Sequence, residues 1–253
     1  MSHAFATYPS LAGKPVFVTG GASGIGAEIV RALAAQDAKV GFVDRDEAGG
    51  RAMAEETGAA FAACDLRDID GLKAAFAALE AEIGAAEVLV NNAARDDRHD
   101  WREVTPDYFD ERIATNLRHM FFAIQAVAPG MIAAGGGSIV NIGSNSWWEA
   151  GGGFPVYATA KSAVHGLTRT MARDLGQHRI RINTVVPGWV MTERQRELWV
   201  TPEASSITTM MLGCARISSR SALAFSSFVA FCLPHNFMSS VTLEVCSGIM
   251  PRS

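Results

Sequence analysis

Pro15-Val16-Phe17-Val18-Thr19-Gly20-Gly21-Ala22-Ser23-Gly24-Ile25-Gly26 is the stretch that decides the fold of this 253-residue chain. Five residues of strand character end in a glycine-lined turn, and a helical pattern follows from Ala27 to Ala35. A helix opening there aims unpaired amides and the positive end of its dipole at an anion. Glycines let the backbone approach a pyrophosphate, with Gly20, Ser23, Gly24 and Ile25 around it, and Gly26 lets helix and strand pack closely. The strand before and the helix after set this stretch apart from a plain tight turn, which is its alternative reading.

Further apolar runs read as strands at Lys39 to Val43, Ala59 to Ala63, Glu87 to Val90, Ser138 to Ile142 and Ile180 to Val186, with alanine-rich helical patterns between them. Such alternation requires crossover connections. The expected fold is therefore α/β, a single Rossmann-type domain over residues 1–253 with a doubly wound parallel sheet and helices on both faces. Ligands in such sheets lie beyond the carboxyl ends of the strands. The second strand runs into Asp44, at the spacing where a carboxylate accepts hydrogen bonds from an adenosine ribose. The same charge repels a ribose phosphate, so NAD is expected over NADP. Arg45 alongside softens that preference, and capping a helix is the other use open to Asp44.

Hydrophobic residues make up 49% of the chain and charged ones 19%, enough apolar material to cover both faces of a sheet. A net charge of −4 without a Lys/Arg block argues against nucleic acid as a partner. Cys64, Cys214, Cys232 and Cys246 show neither zinc-ligand spacing nor a disulfide framework; no metal is expected, and buried thiols in a reducing compartment are. Residues 1–13 lack a signal-peptide pattern, and no apolar run reaches membrane-spanning length, so the expectation is a soluble, cytoplasmic protein without a membrane partner.

Tyr157 and Lys161 are spaced i,i+4 in a helical stretch from Val156 towards Leu175, which puts both on one face. A tyrosine titrates near pH ~10, too high for a base at neutrality, and an ammonium about 4 Å away at an effective dielectric near 20 would shift it by roughly three units. Ser144 follows the strand at Ser138 to Ile142, where its hydroxyl would hold the reacting oxygen. Asn116 sits in a long helical stretch from Pro106, where its low helix propensity is explained by a buried amide linking water to Lys161. Each alone has an ordinary alternative as a cap or a solvated helix residue; together behind a phosphate loop they form a catalytic set.

Through Thr19-Gly20-x-x-x-Gly24-x-Gly26, Asn91-Asn92-Ala93-Ala94, Asn116, Ser144, Tyr157-x-x-x-Lys161 and Pro187-Gly188-x-x-x-Thr192, the sequence resembles the short-chain dehydrogenase/reductase family over roughly residues 10–200. The resemblance implies a dehydrogenase acting on CH–OH groups, with Asp65 and Leu66 near the adenine and Asn91 in the loop after the fourth strand. It also implies Asn92 and Ala93 beside the cofactor, and Pro187, Gly188, Val190 and Thr192 around the nicotinamide, with Thr192 holding its amide. A homo-oligomer, tetramer or dimer, would be built on the helices from Asp107 and Val156.

The loops expected to face the substrate hold Asp96-Asp97-Arg98-His99, Asn145, Trp147-Trp148-Glu149 and Trp189. Aromatic faces with hydrogen-bonding groups suit a polyol. Asp97, His99, Asn145, Trp147 and Trp189 are thus substrate-binding candidates alongside Ser144 and Tyr157, although Asp97 and Arg98 pairing with each other, and Trp147 or Trp148 at a subunit contact, are alternatives. Residues 92–99, 116–120 and 199–203 further resemble the bacterial aldose 1-dehydrogenases of this family, which implies oxidation of an anomeric hydroxyl to a lactone. Two other readings stay open: reduction of another carbonyl such as a 3-oxoacyl thioester, and a nucleotide-binding scaffold without turnover. The latter is raised by a segment that departs from the family pattern from about residue 204, where an apolar helix at Ala222 to Leu233 and a strand within Met238 to Gly248 are still expected.

Overall fold

A computed structural model describes residues 6–149, 152–199 and 241–244. Its strands are β1 (Pro15–Thr19), β2 (Lys39–Asp44), β3 (Ala60–Ala63), β4 (Val88–Asn91), β5 (Gly137–Ile142), β6 (Ile180–Pro187) and β7 (Val241–Glu244). Between them lie α1 (Gly24–Ala34), α2 (Glu47–Thr57), α3 (Ile69–Ile83), α4 (Pro106–Ile113), α5 (His119–Ala133), α6 (Pro155–Leu175) and α7 (Glu193–Leu198). The sheet order is β3-β2-β1-β4-β5-β6-β7. The order in which strands are added reverses between β1 and β4, which run parallel, so a crevice opens there above the strand ends.

Alternation along each strand divides the core between the two faces. Phe17, Leu89 and Ile139 face one cluster, packed by Leu72, Phe76 and Leu79 of α3 and Ile124 and Met131 of α5. Val16, Val18, Phe42 and Val140 face the other, under Ile29, Val30 and Leu33 of α1 and Met53 of α2. Burying a side chain of the size of Phe17 or Phe42 contributes about 2–3 kcal/mol, so these positions hold the helices to the sheet.

Strands β1 to β6 are parallel, as expected, and β7 is added antiparallel to β6, Val185 opposite Leu243. An edge strand can do this because an antiparallel neighbour needs no crossover of fixed hand. Two expectations need correction. Asn91 is the last residue of β4 and fully buried, not a loop residue. The long helical stretch from Pro106 is broken by a π turn at Ala114–Arg118 between α4 and α5. The atypical segment from about residue 204, with the helix expected at Ala222 to Leu233, lies outside the described residues except for β7, as do Cys214, Cys232 and Cys246. Cys64 is free and buried, and burial pushes its thiol up to about 11. No helix among the described residues is long and apolar enough to cross a membrane.

Candidate active site

The glycine turn is shaped by what surrounds it. Gly20 has φ +72°, and a Cβ there would lie 2.8 Å from the Ala93 Cα; at Gly26 it would lie 1.8 Å from the Gly20 carbonyl oxygen. Backbone cannot yield to such overlaps, so both positions require glycine. Asn92 fixes the turn from β4, its Nδ2 donating to the Thr19 and Gly20 carbonyls at 3.0 Å each, while Thr19 Oγ1 accepts from the amides of Asn92 and Ala93. Helix α1 begins at Gly24, three residues earlier than the helical pattern suggested, and its N-cap Ser23 makes no side-chain capping bond. The first amides of α1 are left for a ligand.

Asp44 accepts from the Ala22 amide (3.0 Å) and the Asp46 amide (3.0 Å). Asp46, not Asp44, caps α2, so the capping alternative for Asp44 falls away. Asp65 forms a fork with Arg67, whose guanidinium holds the carboxyl below its ordinary range.

One cavity of about 970 Å³ joins this turn to the ends of β4, β5 and β6. Its wall includes Gly20, Ser23, Gly24, Ile25, Gly26, Asp44, Asp65, Leu66, Asn92 and Ala93, then Ser144, Asn145, Tyr157, Lys161, Pro187, Gly188, Trp189, Val190 and Thr192. Thr192 also caps α7, accepting from the Gln195 amide at 3.3 Å. Asn145 Nδ2 donates to Glu149 (2.6 Å), and the Trp189 indole N–H to Gln195 (2.8 Å).

Lys161 is 1% exposed, and its Nζ donates to the Ile142 carbonyl at 2.7 Å. Burial pulls its ammonium down to about 7. The same burial pushes Tyr157 up to about 12; a hydrogen bond with Ser144 and the charge of Arg98 work the other way, and Asp96 adds to the rise. The expected acidification of Tyr157 by Lys161 is therefore not a property of the chain by itself. The lysine is desolvated as strongly as the tyrosine, and its Nζ lies 5.8 Å from the phenol ring centroid. Desolvation outweighs a single ammonium that is itself inclined to lose its proton.

Four candidates do not reach the wall. Asn116, fully buried within the π turn, donates to the Arg112 carbonyl (2.9 Å) and accepts from the Arg95 amide (2.8 Å), tying the loop after β4 to the break between α4 and α5. His99 Nε2 accepts from the Val156 amide at 3.3 Å, its Nδ1 lies 3.0 Å from both the Asp97 carbonyl and the Tyr108 hydroxyl, and its amide donates to Gly153. It thus serves the first turn of α6, which has no side-chain cap of its own. Trp147 packs edge-on to Trp148 and His165.

Asp97 is the centre of an ion-pair cluster rather than Arg98's partner. It binds Arg112, Arg194 at 2.5 Å and Arg95 at 3.2 Å. Burial raises its carboxyl, but the arginines win and hold it low. Arg112 is 9% exposed at its side chain, so an Asp97→Asn variant strands a nearly buried guanidinium that keeps only Glu111. The expected cost is roughly 2–3 kcal/mol, below the usual range for a buried pair because Asp97 is partly solvated. Urea unfolding at pH 7 measures it, and a change under ~0.5 kcal/mol would show the cluster to be a solvated surface network.

Sequence reasoning missed a buried polar ladder. Asn91 Nδ2 donates to Asn141 Oδ1 (2.9 Å), Asn141 Nδ2 to Thr168 Oγ1 (3.0 Å), and Thr184 Oγ1 to Thr168 Oγ1 (2.7 Å). It braces α6, carrier of Tyr157 and Lys161, against β4, β5 and β6. Polar residues at inward strand positions were the available signal. His119, also fully buried, reaches the Ala93 carbonyl through Nε2 at 3.1 Å; burial, then the charge of Lys161, pushes it down to about 4, so it stays neutral.

The phosphate-loop turn and the Tyr157–Lys161 helix thus meet in one cavity, and the comparisons with known proteins agree. The family profile described as short chain dehydrogenase matches residues 14–203. The chain belongs to the short-chain dehydrogenase family, an oxidoreductase family that uses a nicotinamide cofactor. It is 48% identical over 206 residues to D-xylose 1-dehydrogenase of Caulobacter vibrioides, covering 79% of this chain and 81% of that one. It is 46% identical over 203 residues to a Rhizobium meliloti protein named "Probable galactose dehydrogenase", covering 78% and 79%. A solved short chain dehydrogenase/reductase family protein superposes with a TM-score of 0.69 at 37% identity, covering 75% of this chain and 80% of that one.

Proposed function

We propose that the protein is an NAD-dependent aldose dehydrogenase that oxidises the anomeric hydroxyl of a pentose or hexose to the lactone. The observation that carries this reading is the meeting of Tyr157, Ser144 and Lys161 with the unpaired amides of α1 on one cavity wall. The names of the xylose and galactose relatives favour a sugar.

The residues fit a dinucleotide, because the glycine turn and the start of α1, which has no side-chain cap, line the same cavity as Asp44 and Thr192. The amides at Ser23, Gly24, Ile25 and Gly26 would hold the pyrophosphate, Asp44 the adenosine ribose, and Asp65 with Leu66 the adenine. Asn92, Ala93, Pro187, Gly188, Val190 and Thr192 would enclose the nicotinamide end. When bound, the nicotinamide would supply the acceptor for the hydride that leaves C1.

Tyr157 takes the proton of the C1 hydroxyl, and Ser144 orients that oxygen. Lys161, with its ammonium at about 7, exchanges a proton near neutrality, which suits it to pass on the one that Tyr157 receives. Asn116 and His99 act as positioning residues, through the loop after β4 and the first turn of α6. The wide apolar exposure of Phe109 and Phe121 on α4 and α5 favours assembly into a homodimer or homotetramer, and a free Cys64 suits the cytoplasm.

A panel of neutral aldoses with NAD or NADP, followed by absorbance of the reduced nicotinamide, tests the reading. Turnover of at least one aldose, faster with NAD because Asp44 opposes a ribose phosphate, is expected. Activity confined to reduction of a 3-oxoacyl thioester selects the reductase reading. Tight NAD binding with no turnover on either panel selects the scaffold.

A further inference from the structure

Arg98 and Asp97 part company in the structure, and the consequence falls on Arg98. Asp97 is saturated by three other arginines. Arg98 has no ion pair or hydrogen bond among the described residues, yet it lines the cavity that holds Tyr157. Its guanidinium lies over Phe154, 3.9 Å from Cζ to the ring centroid, with Trp199 at 5.2 Å. Phe154 in turn stands edge-on to Tyr157, ring centroids 5.9 Å apart. Stacking fixes the plane of a guanidinium and leaves its N–H edge to bind something else.

We propose that Arg98 is a substrate-contacting specificity residue whose N–H edge takes two neighbouring hydroxyls of the sugar, one ring removed from the reacting carbon at Tyr157. The inference rests on the aldose reading above. The cavity wall decides between a neutral polyol and an anionic one. Around the cavity, Asp96, Glu149, Glu193 and Glu197 share the wall with Arg98, as do Arg95 and Arg194, and Asp96 is near enough to act on both Arg98 and Tyr157. Arg95 and Arg194 are already paired with Asp97, so a carboxylate-bearing sugar would meet four carboxylates with Arg98 as its arginine partner, whereas hydroxyls accept from the guanidinium without bringing charge. The fork geometry matters as well as the charge, since an ammonium cannot present two parallel N–H groups.

The test compares wild type, Arg98→Met and Arg98→Lys on D-xylose, D-galactose and D-galacturonate, with NAD affinity read from binding titration. The expected result is a rise in aldose KM of roughly 10- to 100-fold in both variants, as for loss of hydrogen bonds to a charged group. Both should show kcat within about threefold of wild type and unchanged NAD affinity. Wild type should favour D-galactose over D-galacturonate in kcat/KM. Unchanged KM in Arg98→Met, wild-type KM in Arg98→Lys, or a preference for the uronate would each overturn the proposal and leave the aldose reading standing. Absence of turnover on every aldose by wild type would overturn both.

Discussion

Tyr157→Phe should lower kcat by about 10³-fold or more while leaving NAD binding and the melting temperature close to wild type. The size follows from what the hydroxyl does: positioned proton transfer contributes roughly 10²–10⁴ in rate, and Phe keeps the ring and its packing against Phe154. The direction with pH follows too. Burial holds the phenol at about 12 in the chain alone, so oxidation, which needs the phenolate, should quicken as pH rises from neutrality. Reduction of the lactone, which needs the phenol, should not. Steady-state kinetics from pH 6 to 10 with both enzymes checks this. Comparable turnover by the variant would remove Tyr157 from the mechanism.

Lys161→Met should abolish most turnover and yet stabilise the fold. An ammonium pulled down to about 7 by burial binds its proton more weakly in the folded chain than in the unfolded one, where a lysine titrates near ~10.4. Between those values the unfolded chain holds the extra proton, so the lysine opposes folding. The opposition is full below pH 7 and fades as pH rises towards 10. Three to four pKa units correspond to about 4–5 kcal/mol as an upper bound, reduced by the lost bond to the Ile142 carbonyl. Met follows the lysine stem and adds no charge. Denaturant melts should find the variant more stable than wild type by about 2 kcal/mol or more at pH 6, with the gap narrowing by pH 10. A destabilised variant, or a gap that widens with pH, would show that Lys161 is held as a satisfied ammonium.

The reading of residues 15–26 anticipated the strand, the turn and the helix because glycine spacing and β-propensity are local signals. Tyr157 and Lys161 were legible for the same reason, i,i+4 spacing on one helix. The break at Ala114–Arg118 was not, since an inserted residue in a helix leaves hydrophobic spacing almost unchanged and is set by tertiary packing. The partners of Asp97 come from Arg95, Arg112 and Arg194, one of them distant in sequence, and adjacency to Arg98 pointed the wrong way. The charge of Lys161 depends on how completely the strand ends and α6 enclose it, which no motif states. Asn116 stood out for its low helix propensity and His99 for its place in a loop expected to face the substrate, but neither signal could tell a cavity wall from the backbone just behind it.

In the proposed reaction, hydride leaves the anomeric carbon of an aldose in the cavity that Tyr157 and Ser144 share. Incubation with C1-deuterated D-xylose or D-galactose and NAD, followed by mass spectrometry of the reduced nicotinamide, tests it most directly. The expected result is one deuterium in the cofactor from wild type and none from Tyr157→Phe on the same timescale. Reduced cofactor without deuterium would place the oxidation at another carbon and contradict the account.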